Sequence, residues 1–306
     1  MITRSHPTKS KRRRPTIRRI CIGLGIIVAL ITIIALLGLP EVLARNRQIA
    51  IVAVKGVTVE HLLDPGDFMV LGGTIGDDLA VSPTTVILFA GGALRSLSRS
   101  ASARQVSKIA GGLPTSFALD TKDETLLTVA DGYFGLLDEA DQFTRSIPLP
   151  YSDCHLAPSI HPGIAYLFTG SDNHYRLYRI KEGGSMSILL ETDTPIIAAT
   201  DDANWTYAAT ASVILRIKQD RPDVLFAAPK ELGSIRSIAA TPMGLILFST
   251  RSRVFAVLNG NAVSLVNNAG GTLRFDHGLL YVLDQNRKML FTMGPISSNL
   301  FGTRRD

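Results

Sequence analysis

The sequence predicts an all-β chain, a six-bladed β-propeller closed by an N-terminal strand and preceded by one transmembrane helix. Three observations carry this. A hairpin pattern of apolar run, tight polar turn and apolar run recurs six times at close to 40 residues. Each copy follows a short segment rich in Ala and Ser and precedes a weaker alternating one. Ahead of them all, behind a cluster of basic residues, stands an uncharged stretch long enough to cross a bilayer.

Residues 1–19 hold 8 of the 32 Lys and Arg residues, Arg18 and Arg19 among them, and no acid. The remaining 24 basic residues face 26 acidic ones, so the basic character belongs to a tail and not to the folded part. Nucleic-acid binding by that part is therefore not expected. From Ile20 to Leu39 there are 20 uncharged residues, with Thr32 the only hydroxyl. As a helix they span roughly 30 Å, the thickness of a bilayer core. Pro40 ends the run. The basic flank puts the N-terminus in the cytoplasm, and the rest of the chain outside it, in a periplasm or at a cell surface. The length of the apolar core favours an uncleaved signal anchor in an inner or plasma membrane; cleavage after Ala44 is the alternative. Beside the membrane the basic tail suits anionic headgroups, each charge contributing about 1 kcal/mol near the surface.

The exported part contains a single cysteine, Cys154, so no disulfide framework supports it. Residues 40–66 read as a juxtamembrane linker, apolar enough over Gln48–Leu63 to add a strand. The propeller is expected over 67–294. The hairpins begin at Val86, Leu126, Ala165, Thr206, Leu245 and Leu280, at intervals of 40, 39, 41, 39 and 35. That is the period of a propeller blade. Segments such as "SFALDT" and "IIAATDD" supply the innermost strands, where crowding near the axis demands small residues. Segments such as "MSILLET" and "DVLFAAP" supply the outermost, half-exposed ones. The sixth copy lacks an outer strand, and "DFMVLGG" (Asp67–Gly73) is spare at the start. It is expected to complete the last blade, which removes two open sheet edges. Residues 295–306 read as a tail.

"LLYVLDQNRKMLF" resembles the blade motif of NHL-repeat propellers through Tyr281, Val282, Asp284, Asn286 and Arg287. Asp172, Asn173 and Arg176 match more weakly, as do Asp131 and Gly132. The chain is similar to the six-bladed group that includes NHL-repeat, strictosidine-synthase-like and gluconolactonase-like proteins. For the gluconolactonase-like enzymes, the resemblance implies a Ca²⁺ or Zn²⁺ on the axis, held by carboxylates and two Asn from different blades. In this chain the loops leading into the inner strands offer Asp77, Asp78, Asp153 and Asp193, with Arg236 in one of them. The Asn residues are missing. Asp77, Asp78, Asp153 and His155 are the candidate ligands of a metal-dependent lactonase- or esterase-like hydrolase. His155 and His174 are expected to approach each other on that same face.

No nucleophile elbow, phosphate loop or Cys-x-x-Cys pair is present, so no catalytic residue and no cofactor is assigned. What remains is a rim of turns. One sector carries Asp131, Asp172, Asn173 and His174; the opposite one carries Arg251, Arg253, Asp284, Asn286 and Arg287. Such a charge-segregated rim suits docking. The expected function is a membrane-anchored, extracytoplasmic, non-catalytic platform with a protein partner in an envelope assembly. The hydrolase is one alternative, a sugar or polymer sensor the other.

Overall fold

In the computed structural model the described residues are 58–61 and 75–296, apart from 83–84, 91–92, 99–105, 112–113, 122–124, 138–142, 152, 182–183, 288 and 295. All belong to one compact unit, Val52–Asp306. The expected membrane segment Ile20–Leu39, with its flanking Arg18 and Arg19, lies outside the described residues. Among those described, no helix is long and apolar enough to cross a membrane.

The first strand, β1 (Thr58–His61), is the outermost strand of the last blade, where the N-terminus closes the ring. Blade one follows with β2 (Ile75–Val81), β3 (Thr85–Ala90), β4 (Ala93–Ser98) and β5 (Val106–Gly111). Blade two has β6 (Ser116–Leu119), β7 (Leu126–Ala130), β8 (Tyr133–Leu137) and β9 (Phe143–Pro148). Blade three has β10 (Cys154–Pro158), β11 (Ile164–Ser171), β12 (His174–Lys181) and β13 (Met186–Thr192). Blade four has β14 (Ala198–Asp201), β15 (Thr206–Ala209), β16 (Val213–Lys218) and β17 (Arg221–Ala227). Blade five has β18 (Ser237–Ala240), β19 (Ile246–Ser249), β20 (Arg253–Leu258) and β21 (Asn261–Asn267). Blade six has β22 (Thr272–Asp276), β23 (Leu279–Asp284) and β24 (Met289–Gly294), with β1 beyond it. Every pairing is antiparallel, from the innermost strand outward.

The closing strand is Thr58–His61, paired with Gly294–Phe291, and not the expected Asp67–Gly73. Chain reach explains it. From the outer strand of one blade to the inner strand of the next, the backbone must cross three strand spacings, about 14 Å. At about 3.3–3.6 Å per residue this takes four residues or more. The other outer-to-inner connections range from 112–115 to 228–236. A strand ending at Gly73 leaves only Thr74 before β2. One ending at His61 leaves 62–74.

The apolar residues form six clusters, one between each pair of neighbouring blades. Neighbouring residues of one strand serve different interfaces. In β19, Ile246 and Phe248 pack toward blade four, while Leu247 packs toward blade six. Middle strands are therefore buried on both faces, as in "LLTVA" of β7, and read as nearly continuous apolar runs. Outer strands are largely exposed, and β13 buries only Leu189 and Leu190, beside the bulge where it pairs with β12. The closing interface joins Leu79, Val86 and Leu88 of blade one to Tyr281, Leu283 and Leu290 of blade six.

Candidate functional site

The inner strands pack side by side around the axis and close on themselves, β22 against β2. The register singles out one position in each. The residues opposite Ile87, Leu127, Tyr166, Tyr207, Leu247 and Tyr281 of the second strands are Ala80, Ala118, Ala157, Thr200, Ala239 and Arg274. Five blades place a small side chain there. The sixth places a guanidinium.

Two cavities meet at this waist, and both are lined by Ala199 and Arg274. The upper one, about 840 Å³, opens on the face that carries the loops into the inner strands and the turns between second and third strands. The lower one, about 860 Å³, opens where the inner strands end.

In the upper cavity Asp78 is held by blade two. Its Oδ2 accepts from Ser116 Oγ at 2.5 Å and from the Phe117 N–H at 3.1 Å. Burial pushes the Asp78 carboxyl above its ordinary range, and the charge of Arg274 pulls the other way. Arg274 is lowered by its own burial and raised by Asp78. Its Nη1 donates to Leu273 O at 2.9 Å, while its Nε is buried without a hydrogen-bond partner. Each charge offsets part of the burial cost of the other across the closing interface, where an isolated charge would be costly.

A metal on the axis does not fit this donor set. Asp78 Oδ2 is already engaged by two donors, the neighbouring charge is a guanidinium, and hard cations need several converging oxygens. His155 Nε2 lies 3.3 Å from Asp153 Oδ1, and its ring stacks on Phe168 with centroids 5.5 Å apart. His155 thus lines the cavity with Asp78, but its neighbours are Asp153 and Phe168 rather than His174, which is exposed at the start of β12. Among the described residues no group of three or more His, Cys, Asp or Glu is arranged to hold a metal ion. The side chain of Asp77 is outside the described set. Cys154 is buried, donates to Tyr151 O at 3.2 Å, and has its thiol pushed up by burial, which suits a packed side chain and not a nucleophile.

The rim residues separate into two kinds. Asp131, Asp172 and Asn173 have positive φ, at 51°, 52° and 65°, so their types are accounted for by tight turns. Asp131 also lies 3.4 Å from Arg145, which covers the Tyr133 ring. Asp284 is buried, and its Oδ1 accepts the Arg287 N–H at 3.1 Å, shaping the turn that presents Asn286. Arg251 and Asn286 line the cavity; Arg253 and Arg287 are exposed beyond it. Arg236 joins the lining. A Cβ on Gly270 would collide with Thr250 O and the backbone at Arg251, so only glycine lets the chain entering β22 lie against the turn that carries Arg251.

At the lower mouth Asp201 is the hub. Its Oδ2 accepts from Ser159 Oγ and, at 2.9 Å, from Tyr166 OH; its Oδ1 accepts the Ile160 N–H at 2.8 Å. Burial raises the Asp201 carboxyl and pushes Tyr166 up to about 12. These bonds tie blade three to blade four. Ser159 Oγ also accepts the His161 N–H at 3.0 Å, so the hydroxyl is engaged on both sides.

Arg274 is a site residue that no motif in the sequence marks. Its signal was present, since "TLRFDHG" has Arg where "SFALDT" and "HLAPSIHP" have Ala.

No family model and no curated protein matches the chain. Solved structures do match. A gluconolactonase from Xanthomonas campestris superposes with a TM-score of 0.60 at 12% identity, covering 78% of this chain and 89% of that one. Virginiamycin B lyase from Staphylococcus aureus gives 0.55 at 11%, covering 78% and 100%. The calcium-binding protein regucalcin from Agrobacterium tumefaciens gives 0.57 at 16%, covering 72% and 90%. The class of protein is therefore a six-bladed β-propeller, with structural neighbours of the gluconolactonase, regucalcin and virginiamycin B lyase type. At these identities the likeness is one of fold.

Proposed function

We propose that the chain is a membrane-anchored, extracytoplasmic propeller that binds through its upper face and carries out no metal-assisted hydrolysis. One observation supports this above the rest. The axial carboxylate, Asp78, is hydrogen-bonded to Ser116 and Phe117 and faced by Arg274. A lactonase-like reading, prompted by the gluconolactonase neighbour, would need that carboxylate free to bind a cation. The uncharged segment Ile20–Leu39 behind its basic flank supports the anchor, and the rim with Arg251, Arg253 and Arg287 supports docking to a protein of the envelope.

The test is metal analysis of the purified full chain, with thermal melts in the presence and absence of a chelator and a panel of lactones and esters. The expected result is no stoichiometric metal, one melting temperature and no turnover. A bound metal whose removal lowers the melting temperature would replace this reading with the hydrolase. The anchor is tested by alkaline extraction of membranes and by protease added to intact cells. The chain should stay with the pellet and be cut only from outside.

A further inference from the structure

The upper cavity is built asymmetrically. Blades three and four contribute a mainly apolar side, with Ala157, Ile197 and the largely buried Phe168 and Ile196, beside the His155 ring that stacks on Phe168. Blades five and six contribute Arg236, Arg251 and Arg274. Three guanidinium groups and one carboxylate leave the lining with an excess of positive charge. Among the described residues the Arg236 and Arg251 side chains make no hydrogen bond or ion pair, and Arg274 has its buried Nε unpartnered. Both exposed arginines stand on backbone held in place. The Arg236 N–H donates to Ser249 O at 2.8 Å, and Arg251 rides on the turn pressed against Gly270. With the backbone already fixed, only the side-chain rotamers of these arginines remain to be ordered when a ligand binds.

We infer that the upper cavity binds a small amphipathic carboxylate, its charged group between the arginines and its apolar body against Phe168, Ile196 and Ile197. This rests on the reading of the upper face as a binding surface. The guanidinium fork matches the two oxygens of a carboxylate. A cavity of about 840 Å³ is the size of a small-molecule site. A metal cation is disfavoured by the same arginines, and a fully hydrated ion such as sulfate would leave the apolar side unused.

The experiment is calorimetric titration of the purified full chain with 4-phenylbutyrate, with 4-phenylbutanol, 4-phenylbutylamine and acetate as comparisons. The carboxylate is expected to bind at one per chain. The alcohol and acetate should bind at least tenfold more weakly, and the amine not at all. Arg236→Gln and Arg251→Gln should each weaken the carboxylate at least fivefold while leaving the melting temperature of the free protein unchanged. No heat with 4-phenylbutyrate at millimolar concentration, equal affinity for the alcohol, or indifference to both substitutions would overturn the proposal. A silent titration from a protein that is metal-free and still captures an envelope partner would sink the cavity site alone. A stoichiometric metal would instead sink the broader reading, and the arginine dependence of the titration would still decide the site.

Discussion

Ser116 Oγ donates to Asp78 Oδ2 at 2.5 Å and accepts the Leu156 N–H at 2.8 Å, so one hydroxyl joins three blades at the axis. Ser237, which also begins an inner strand, makes half of this link, accepting the Leu273 N–H at 3.0 Å. Ser116→Ala strands a buried N–H and removes a donor from a buried carboxylate. It should cost about 3 kcal/mol, and Ser237→Ala about 1–2 kcal/mol. Urea unfolding of the two variants checks the order. Equal losses would show that the Asp78 link adds nothing.

The ring is closed by the pairing of Val59 with Met293 and Glu60 with Thr292. Prolines at both Val59 and Glu60 remove ladder hydrogen bonds whichever residue donates. The melting temperature should fall, and limited proteolysis should cut first within blade six, beyond β22. An unchanged cleavage pattern would mean that β1 does not secure the ring.

Asp201 carries the pH dependence at the lower mouth. Burial raises its folded pKa above the ordinary 3.8, and the bonds from Ser159, Ile160 and Tyr166 offset only part of that. The folded protein therefore holds this proton to higher pH than the unfolded chain does. The stability contributed by the group is full below 3.8 and is lost as pH rises through the raised folded value. Asp78 is displaced in the same direction. The melting temperature should decline as pH rises across that window. Asp201→Asn should flatten the decline, and adding Asp78→Asn should flatten it further. A slope unchanged in both variants would refute the assignment.

Gly270 sits where any Cβ would meet Thr250 O and the backbone of Arg251 and Ser252. Gly270→Ala must push the chain entering β22 away from the β19–β20 turn. A loss of about 2–3 kcal/mol is expected, as for other overpacked sites, together with weaker 4-phenylbutyrate binding because Arg251 moves. Chemical denaturation and titration of the same variant read the two effects separately.

Much of this molecule is legible in its sequence because each blade satisfies its hydrogen bonds locally. The 40-residue interval, the apolar hairpins and the small inner strands determined six four-stranded sheets, down to the bounds of Met186–Thr192. Composition likewise located the basic charge in residues 1–19. Tertiary structure decided what depends on contacts between blades. Which N-terminal segment closes the ring follows from how far the chain must travel across a sheet, which the local composition of Asp67–Gly73 and Thr58–His61 does not reveal. Asp78 and Arg274 lie 196 positions apart, in the first and last blades, and line one cavity only because closure brings β2 against β22. Their partial offset of each other's burial cost, and with it the misfit of an axial metal, comes from desolvation and geometry that no local pattern encodes. Asp284 likewise reads as a rim acid until the fold buries it beneath its own turn. Periodicity reports what each strand needs for itself, whereas the site is made of what the ring forces its blades to share.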